Sequence, residues 1–293
     1  MKSYIQRLDD ELEIISRLFA EFINDLKIIK HVKNPGSQFA FIMPPYYYDT
    51  NLSPQQKNRQ IELFQKYSEW EQHFNMLSLN MPEAISTQIK ECEKFLKEKI
   101  DLISFWDTSP ESSENVERMI EKIAILRDLL KLRMKDGLIT LIPDTNSLII
   151  DPEFEKYKAI GGEEFSIIIS PTVLSELDKL KIQHRDESFR QKINSVIARI
   201  KGLRAQGSLI NGVIVHKSIT IKMSAKEPSF ENTLSWLDSS NNDDRIIAFA
   251  LEYMRNAPSD KVILVTTDIN LQNKAEMAKI PYSEPPTKIW PVT

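Results

Sequence analysis

Cysteine is almost missing from this 293-residue chain: Cys92 is the only one. A single thiol excludes a disulfide framework and any multi-cysteine zinc site, and it fits a reducing compartment. Long apolar runs are missing too. No stretch approaches the ~20 residues that would span a bilayer, and the opening MKSYIQRLDDELEII has charges where a secretion signal has its apolar core. A soluble, cytoplasmic protein with no membrane partner is the expectation. The formal net charge is −4, which argues against a polybasic binder, although a local basic surface is enough to meet phosphates. Neither Gly-x-x-x-x-Gly-Lys nor Gly-x-Gly-x-x-Gly occurs, so no glycine-rich loop can cradle a nucleotide. There is no internal repeat and no low-complexity tract.

What is there is ordinary globular material, 41% hydrophobic and 27% charged, long enough for one large domain or two ordinary ones. Its first part has the period of a helix. Ile5, Leu8, Leu12, Ile15, Phe19, Phe22, Leu26 and Ile29 step by threes and fours along one face. That spacing also suits a coiled-coil seam, but it lasts only about four heptads, so packing in a bundle is expected. After the loop NPGSQFAFIMPPYYYDTN, Ser53-Pro54-Gln55-Gln56 has the form of a capping box with proline in the first turn. That second helix is marked by Leu63, Phe64, Tyr67, Trp70 and Phe74. A third follows Pro82, with Ile85, Ile89, Cys92, Phe95, Leu96 and Ile103. The polar linker DTSPESSEN, 107–115, precedes a fourth, carrying Val116, Ile120, Ile123, Leu126, Leu130 and Met134. Lys135-Asp136-Gly137 would close it, with glycine at the cap.

From Leu138 the period changes. The β-branched runs LITLI (138–142), SIIIS (166–170), VIVHKS (213–218) and VILVTT (262–267) alternate with helical stretches at 172–181, 188–205 and 243–255. Such alternation indicates an α/β domain with a mainly parallel sheet. The expected organisation is therefore a helical bundle-like domain, 1–136, and an α/β domain, 137–293.

Open α/β sheets bind ligands beyond the carboxyl ends of their strands. Asp144 and Asp268 follow two of those strands, and Glu176 lies in the helix that Ser170 and Pro171 begin. Asp244 opens a further helix in SSNNDDRIIAFALEYM. Taken alone each acid has a plainer reading, Asp144 as a turn residue or cap, Asp244 as a helix-start acid, Asp268 as a cap and Glu176 as part of a solvated helix face; together they bring four carboxylates to one edge. Packed carboxylates repel unless a cation intervenes. Mg²⁺ or Mn²⁺ suits such oxygen ligands. One ion can polarise a phosphoryl oxygen, and two roughly 3.5–4 Å apart can clamp both oxygens of a phosphodiester displacement.

The stretches IPDTNSLI, SPTVLSELDKLK, SNNDDRIIAFALEY and VILVTTDINLQNKA resemble the PIN-domain nucleases, over roughly residues 138–293. The likeness is closest to PIN domains of mRNA-decay endonucleases and their bacterial relatives. It implies a parallel sheet sandwiched by helices, with Asp144, Glu176, Asp244 and Asp268 as catalytic metal ligands. Asp243 is the second choice for the third acid. The resemblance also implies Mg²⁺ or Mn²⁺, single-stranded RNA as the usual substrate with DNA not excluded, and polar support from Thr145, Asn146, Thr267 and Asn270.

Lys181, Arg185, Arg190, Lys192 and Arg199 follow the second acid. They read either as a solvated helix face or as a phosphate track whose charge reversal at Arg190 and Arg199 would weaken RNA binding. PPYYYD, 44–49, offers aromatics for stacking on bases or for packing its own loop. The four histidines, 31, 73, 184 and 216, are scattered, and only His184 invites a check for RNA contact. Three other readings stand beside the nuclease. A haloacid-dehalogenase phosphatase would need Asp-x-Asp, and Asn146 stands at the second position. A catalytically silent RNA-binding or scaffold module is the second. A toxin or defence nuclease is the third, although such proteins rarely carry so large an extra domain. The helical domain is expected to serve regulation, substrate positioning or homo-oligomerisation.

Overall fold

The computed structural model describes residues 2–31, 44–79, 81–103, 107–133, 137–183, 186–231 and 233–288. The chain divides into two compact units, Ile5–Met134 and Lys135–Thr293, the latter grouped with Met1–Tyr4.

The first unit is helical, with one short sheet. Its elements are α1 (Tyr4–Asn24), β1 (Ile28–Lys30), β2 (Tyr46–Tyr48), α2 (Pro54–Leu77), α3 (Glu83–Ile100) and α4 (Ser112–Lys131). The apolar stripe of α1 is buried from Ile5 to Phe22, and Leu26 is buried just beyond the helix end. Ile29 does not continue the stripe, because it pairs with Tyr47 in the antiparallel β1–β2 ladder. The tyrosines of PPYYYD thus form a strand rather than a loop, and Tyr48 is buried. Helix α2 begins as its sequence demands: Ser53 Oγ accepts from the Gln56 N–H, the Gln56 side chain accepts from the Ser53 N–H, and Pro54 opens the helix. Trp70 is fully buried, stacked on Phe74 with centroids 4.8 Å apart, and its indole N–H donates to the Leu8 carbonyl. Phe64, Ile103 and Ile120 were expected inside and are exposed. Helix α3 stops at Ile100, and Leu102 at φ 56° turns the chain before Ile103 can join the buried face. Met134, Lys135 and Asp136 lie outside the described residues, as do His184 and Arg185. Gly137 is no cap of α4, which ends at Lys131; a Cβ there would overlap the Ser259 carbonyl, so the backbone contact requires glycine.

The second unit is α/β. It runs β3 (Ile139–Pro143), α5 (Thr145–Ile150), α6 (Lys158–Gly161), β4 (Phe165–Ile169), α7 (Pro171–Gln183), α8 (Glu187–Gln206), β5 (Val213–Val215), β6 (Ile219–Met223), α9 (Asn242–Asn256), β7 (Lys261–Val265), α10 (Ile269–Met277) and β8 (Tyr282–Ser283). The six strands lie in the order β5-β6-β4-β3-β7-β8, all parallel except the β5–β6 pair. VIVHKS is a strand end and a turn: His216 and Lys217 take φ 49° and 66° and reverse the chain into β6. Leu141, Ile142, Ile167, Ile169, Leu264 and Val265 are all buried, as strands covered on both faces require.

The strand order locates the site. From β3 the chain moves outward through β4 to β6, then returns across the sheet to β7 on the other side of β3 and continues to β8. Right-handed crossovers then put α5–α8 on one face and α9–α10 on the other. The direction of winding reverses between β3 and β7, and a crevice opens beyond the carboxyl ends at such a point.

Candidate active site

The last residues of β3 and β7 are in register, Pro143 opposite Val265, and the Asp144 N–H donates to the Val265 carbonyl at 2.9 Å. Asp144 therefore leaves the sheet at the reversal point. It caps α5, with Oδ1 accepting from the Ser147 N–H at 2.7 Å and Oδ2 from the Thr266 hydroxyl at 2.5 Å. Asp144 as a whole is 4% exposed. Burial pushes its pKa up, those hydrogen bonds pull it down, the nearby Asp268 charge pushes it up again, and the net direction is up.

Asp268 caps α10, with Oδ1 accepting from the Asn270 N–H at 2.7 Å and the Leu271 N–H at 3.2 Å. Glu176, in the second turn of α7, has both oxygens held. Oε2 accepts from the Thr145 hydroxyl and Oε1 from the Asn242 side-chain amide at 2.6 Å. Asp243 and Asp244 sit in the first turn of α9. Asp244 is buried, with Oδ2 accepting from the Asp238 N–H at 2.9 Å and Oδ1 lying 2.8 Å from Lys274 Nζ. Asp243 is half-buried, 3.5 Å from the same ammonium. Capping and clustering are thus one arrangement, because the positive ends of α5, α9 and α10 converge where the acids collect.

One cleft of about 350 Å³ is lined by Asp144, Thr145, Asn146, Glu176, Lys179, Leu180, Asp243, Ile246, Asp268 and Leu271. Three of the four expected acids line it. In the third position Asp243 lines it and Asp244 lies beneath, which reverses the preference drawn from the motif's phase. Thr145 supports Glu176 rather than Asp144. Asn146 is exposed at the cleft wall, and Asn270 contributes its backbone N–H from an exposed position. The threonine that touches Asp144 is the buried Thr266, not Thr267. Asn242, Thr266 and Lys274 were missed. Asn242 stands in the stretch that opens the third acid's helix with nothing local to point it at Glu176, and no spacing singles out Lys274.

Arg199 does not belong to this cleft. It is bound to Glu155, which also meets His216 Nε2 at 2.6 Å, in a second hollow that shares no residue with the first. Reversing its charge would set two carboxylates together, so it is no clean probe of RNA binding. Lys181 and Lys192 are exposed and Arg190 is half-buried, while Lys179 reaches the cleft itself.

The donors fit a hard divalent cation: all are carboxylate oxygens, in a cleft with room for water. Among the described residues, however, no three such side chains stand close enough together to hold a metal ion. No described helix is long and apolar enough to cross a membrane.

A six-stranded, mostly parallel sheet with acids gathered at its reversal point defines an α/β domain with an acidic crevice. The family model of the PIN domain matches residues 141–284, about half of the chain, and this segment is a PIN domain. It gives the chain a nuclease fold, in a family whose nucleases generally use divalent metals. No curated protein matches the sequence.

Proposed function

We propose that the PIN domain is a ribonuclease that hydrolyses phosphodiester bonds of single-stranded RNA, with DNA not excluded, as an endonuclease dependent on Mg²⁺ or Mn²⁺. The observation that carries this reading is the gathering of Asp144, Glu176, Asp243 and Asp268 around one cleft at the reversal point. The ion would draw its ligands from these four, which line the cleft but have to close in for three of them to reach one ion, with Asp244 behind them. When bound, such an ion supplies charge to a phosphoryl oxygen and acidity to a water. The chain supplies the rest. Thr266 and Ser147 fix Asp144, Thr145 and Asn242 fix Glu176, and the α10 amides fix Asp268, so three carboxylates are oriented before substrate arrives. Lys179 at the cleft, with Lys181, Arg190 and Lys192 along α7 and α8, would draw in the phosphate backbone, which makes binding weaken as salt rises. A single strand can bend its backbone into such a cleft, which a rigid duplex resists. The helical unit would serve positioning, regulation or self-association.

The test is cleavage of a labelled single-stranded RNA in Mn²⁺ or Mg²⁺ by wild type, Asp144→Asn and Asp268→Asn. Expected is a metal-dependent product that each substitution reduces by at least about 100-fold, the loss typical when charge stabilisation of a transition state is removed. Equal cleavage by all three proteins sinks the proposal.

A second reading, a catalytically silent RNA-binding or scaffold module, is favoured by one observation: Lys274 already neutralises part of the acid cluster. RNA binding without cleavage in either metal would decide for it.

A further inference from the structure

Lys274 projects from α10 to the start of α9. Its ammonium lies 2.8 Å from Asp244 Oδ1, 3.2 Å from Asn241 Oδ1 and 3.5 Å from Asp243 Oδ2. Asn241 is the N-cap of α9, so the lysine ties the cap and both first-turn acids together. The other oxygen of Asp244 is taken by the Asp238 N–H. Asp244 thus has one oxygen on a cation and one on an amide, in a site only 5% exposed. Burial lowers the lysine's pKa, but the bond to Asp244 and the charges of Asp243 and Asp244 outweigh it, and the net direction is up.

A two-ion site needs carboxylates that can reach both ions, roughly 3.5–4 Å apart. Asp144 and Asp268 stand at the strand ends and Glu176 on α7. The acids left for a second ion are those of α9, and a fixed positive charge already stands between them. We propose that Lys274 is a positioning residue that acts as the resident cation of the Asp243–Asp244 side, so that the cleft takes one divalent ion rather than two. The proposal rests on the metal-dependent reading above. Asp243 then reaches the cleft, while Asp244 anchors the lysine beneath it. The lysine also removes like-charge repulsion at the start of α9, which would otherwise destabilise the metal-free protein.

Mn²⁺ bound to the full chain can be counted by calorimetric titration and electron paramagnetic resonance, for wild type, Lys274→Arg and Lys274→Met. Wild type and Lys274→Arg are expected to bind one ion, and Lys274→Met a second, weaker one. In EDTA, Lys274→Met is expected to melt lower than wild type, and adding Asp244→Asn to it should restore most of the loss. If Lys274→Met does not fold, Lys274→Gln serves for the same count. Two ions in wild type, or one ion in the lysine-free variants, overturns the proposal while leaving metal-dependent cleavage standing. No ion bound by wild type removes the metal-dependent reading and this proposal with it.

Discussion

In the helical unit Glu71 and Glu93 lie close together where α2 meets α3, whereas in the PIN domain Asp144 is sunk at the end of β3, and the same burial is met by different means. Burial, with the Glu71 charge adding to it, raises the Glu93 pKa to about 7; Asn75, Lys97 and Lys90 pull only partly against this. Glu71 itself is tied to Lys97 at 2.5 Å. Asp144 is buried more deeply, yet its oxygens meet a helix N-terminus and a threonine hydroxyl. Both groups are pushed up. Around Glu93 the cations and Asn75 only partly offset burial, while around Asp144 fixed donors on both oxygens favour the charged form. Donors of that kind keep a carboxylate ready for a cation, and a proton does not.

The two units are expected to answer separately to a change, and the largest expected effect tests that. Trp70→Ala removes a fully buried ring and its hydrogen bond to Leu8, which should cost about 3–5 kcal/mol. Calorimetry should then show a helical transition moved down by roughly 10–20 °C while the PIN domain's transition stays in place. A single transition shifting as one would mean that the chain melts as one cooperative body.

Next in size is Thr266→Val, which removes the hydroxyl that donates to Asp144 and accepts from the Asp268 N–H. Loss of such an outer partner should lower Mn²⁺ affinity and cleavage by about 10–100-fold. Thr267→Val, one residue along, should stay within about twofold, since typical surface substitutions are worth under 0.5 kcal/mol. Equal losses for the two would refute the assignment of the donor.

This pair also shows where the sequence stops being legible. The change of period at Leu138, the capping box at Ser53 and the acids after two strands are all local patterns, and the structure has them where the pattern puts them. Which of two adjacent residues faces a cleft is not local. In an extended segment neighbouring side chains point to opposite sides, so Thr266 and Thr267 exchange roles with a one-residue phase error. Asp243 and Asp244 pose the same problem on a helix, where neighbours stand about 100° apart. Asn242 and Lys274 lie further out of reach. Their partners are 66 residues away at Glu176 and 30 residues away at Asp244, and only the folded sheet brings them together. The short strands β6 and β8 were missed for a related reason. β6 (Ile219–Met223) follows directly on the turn that closes VIVHKS, which read as one strand, and the two-residue edge strand β8 carries too little period to stand out from a loop.

The smallest effect addresses the proton on Glu93. Its folded-state pKa of about 7 lies above the ordinary glutamate value of 4.5, so the folded state holds the proton more tightly than the unfolded chain does. The sign follows. The protonated pair is fully stable below pH ~4.5, loses stability as pH rises toward ~7, and is flat above that, because both states are then ionised. Glu93→Gln keeps the shape and an amide in place of the proton, so it should be neutral at pH 4.5 and stabilising above pH 7. The carboxyl is only partly buried, and solvent screening reduces the gain to about 1 kcal/mol, or about 4 °C in the helical transition. Melting at pH 4.5, 6 and 8 checks it. A stabilisation that does not grow with pH would mean that Glu93 is ionised throughout, and that Lys97 serves both carboxylates as Lys274 serves the two acids of α9.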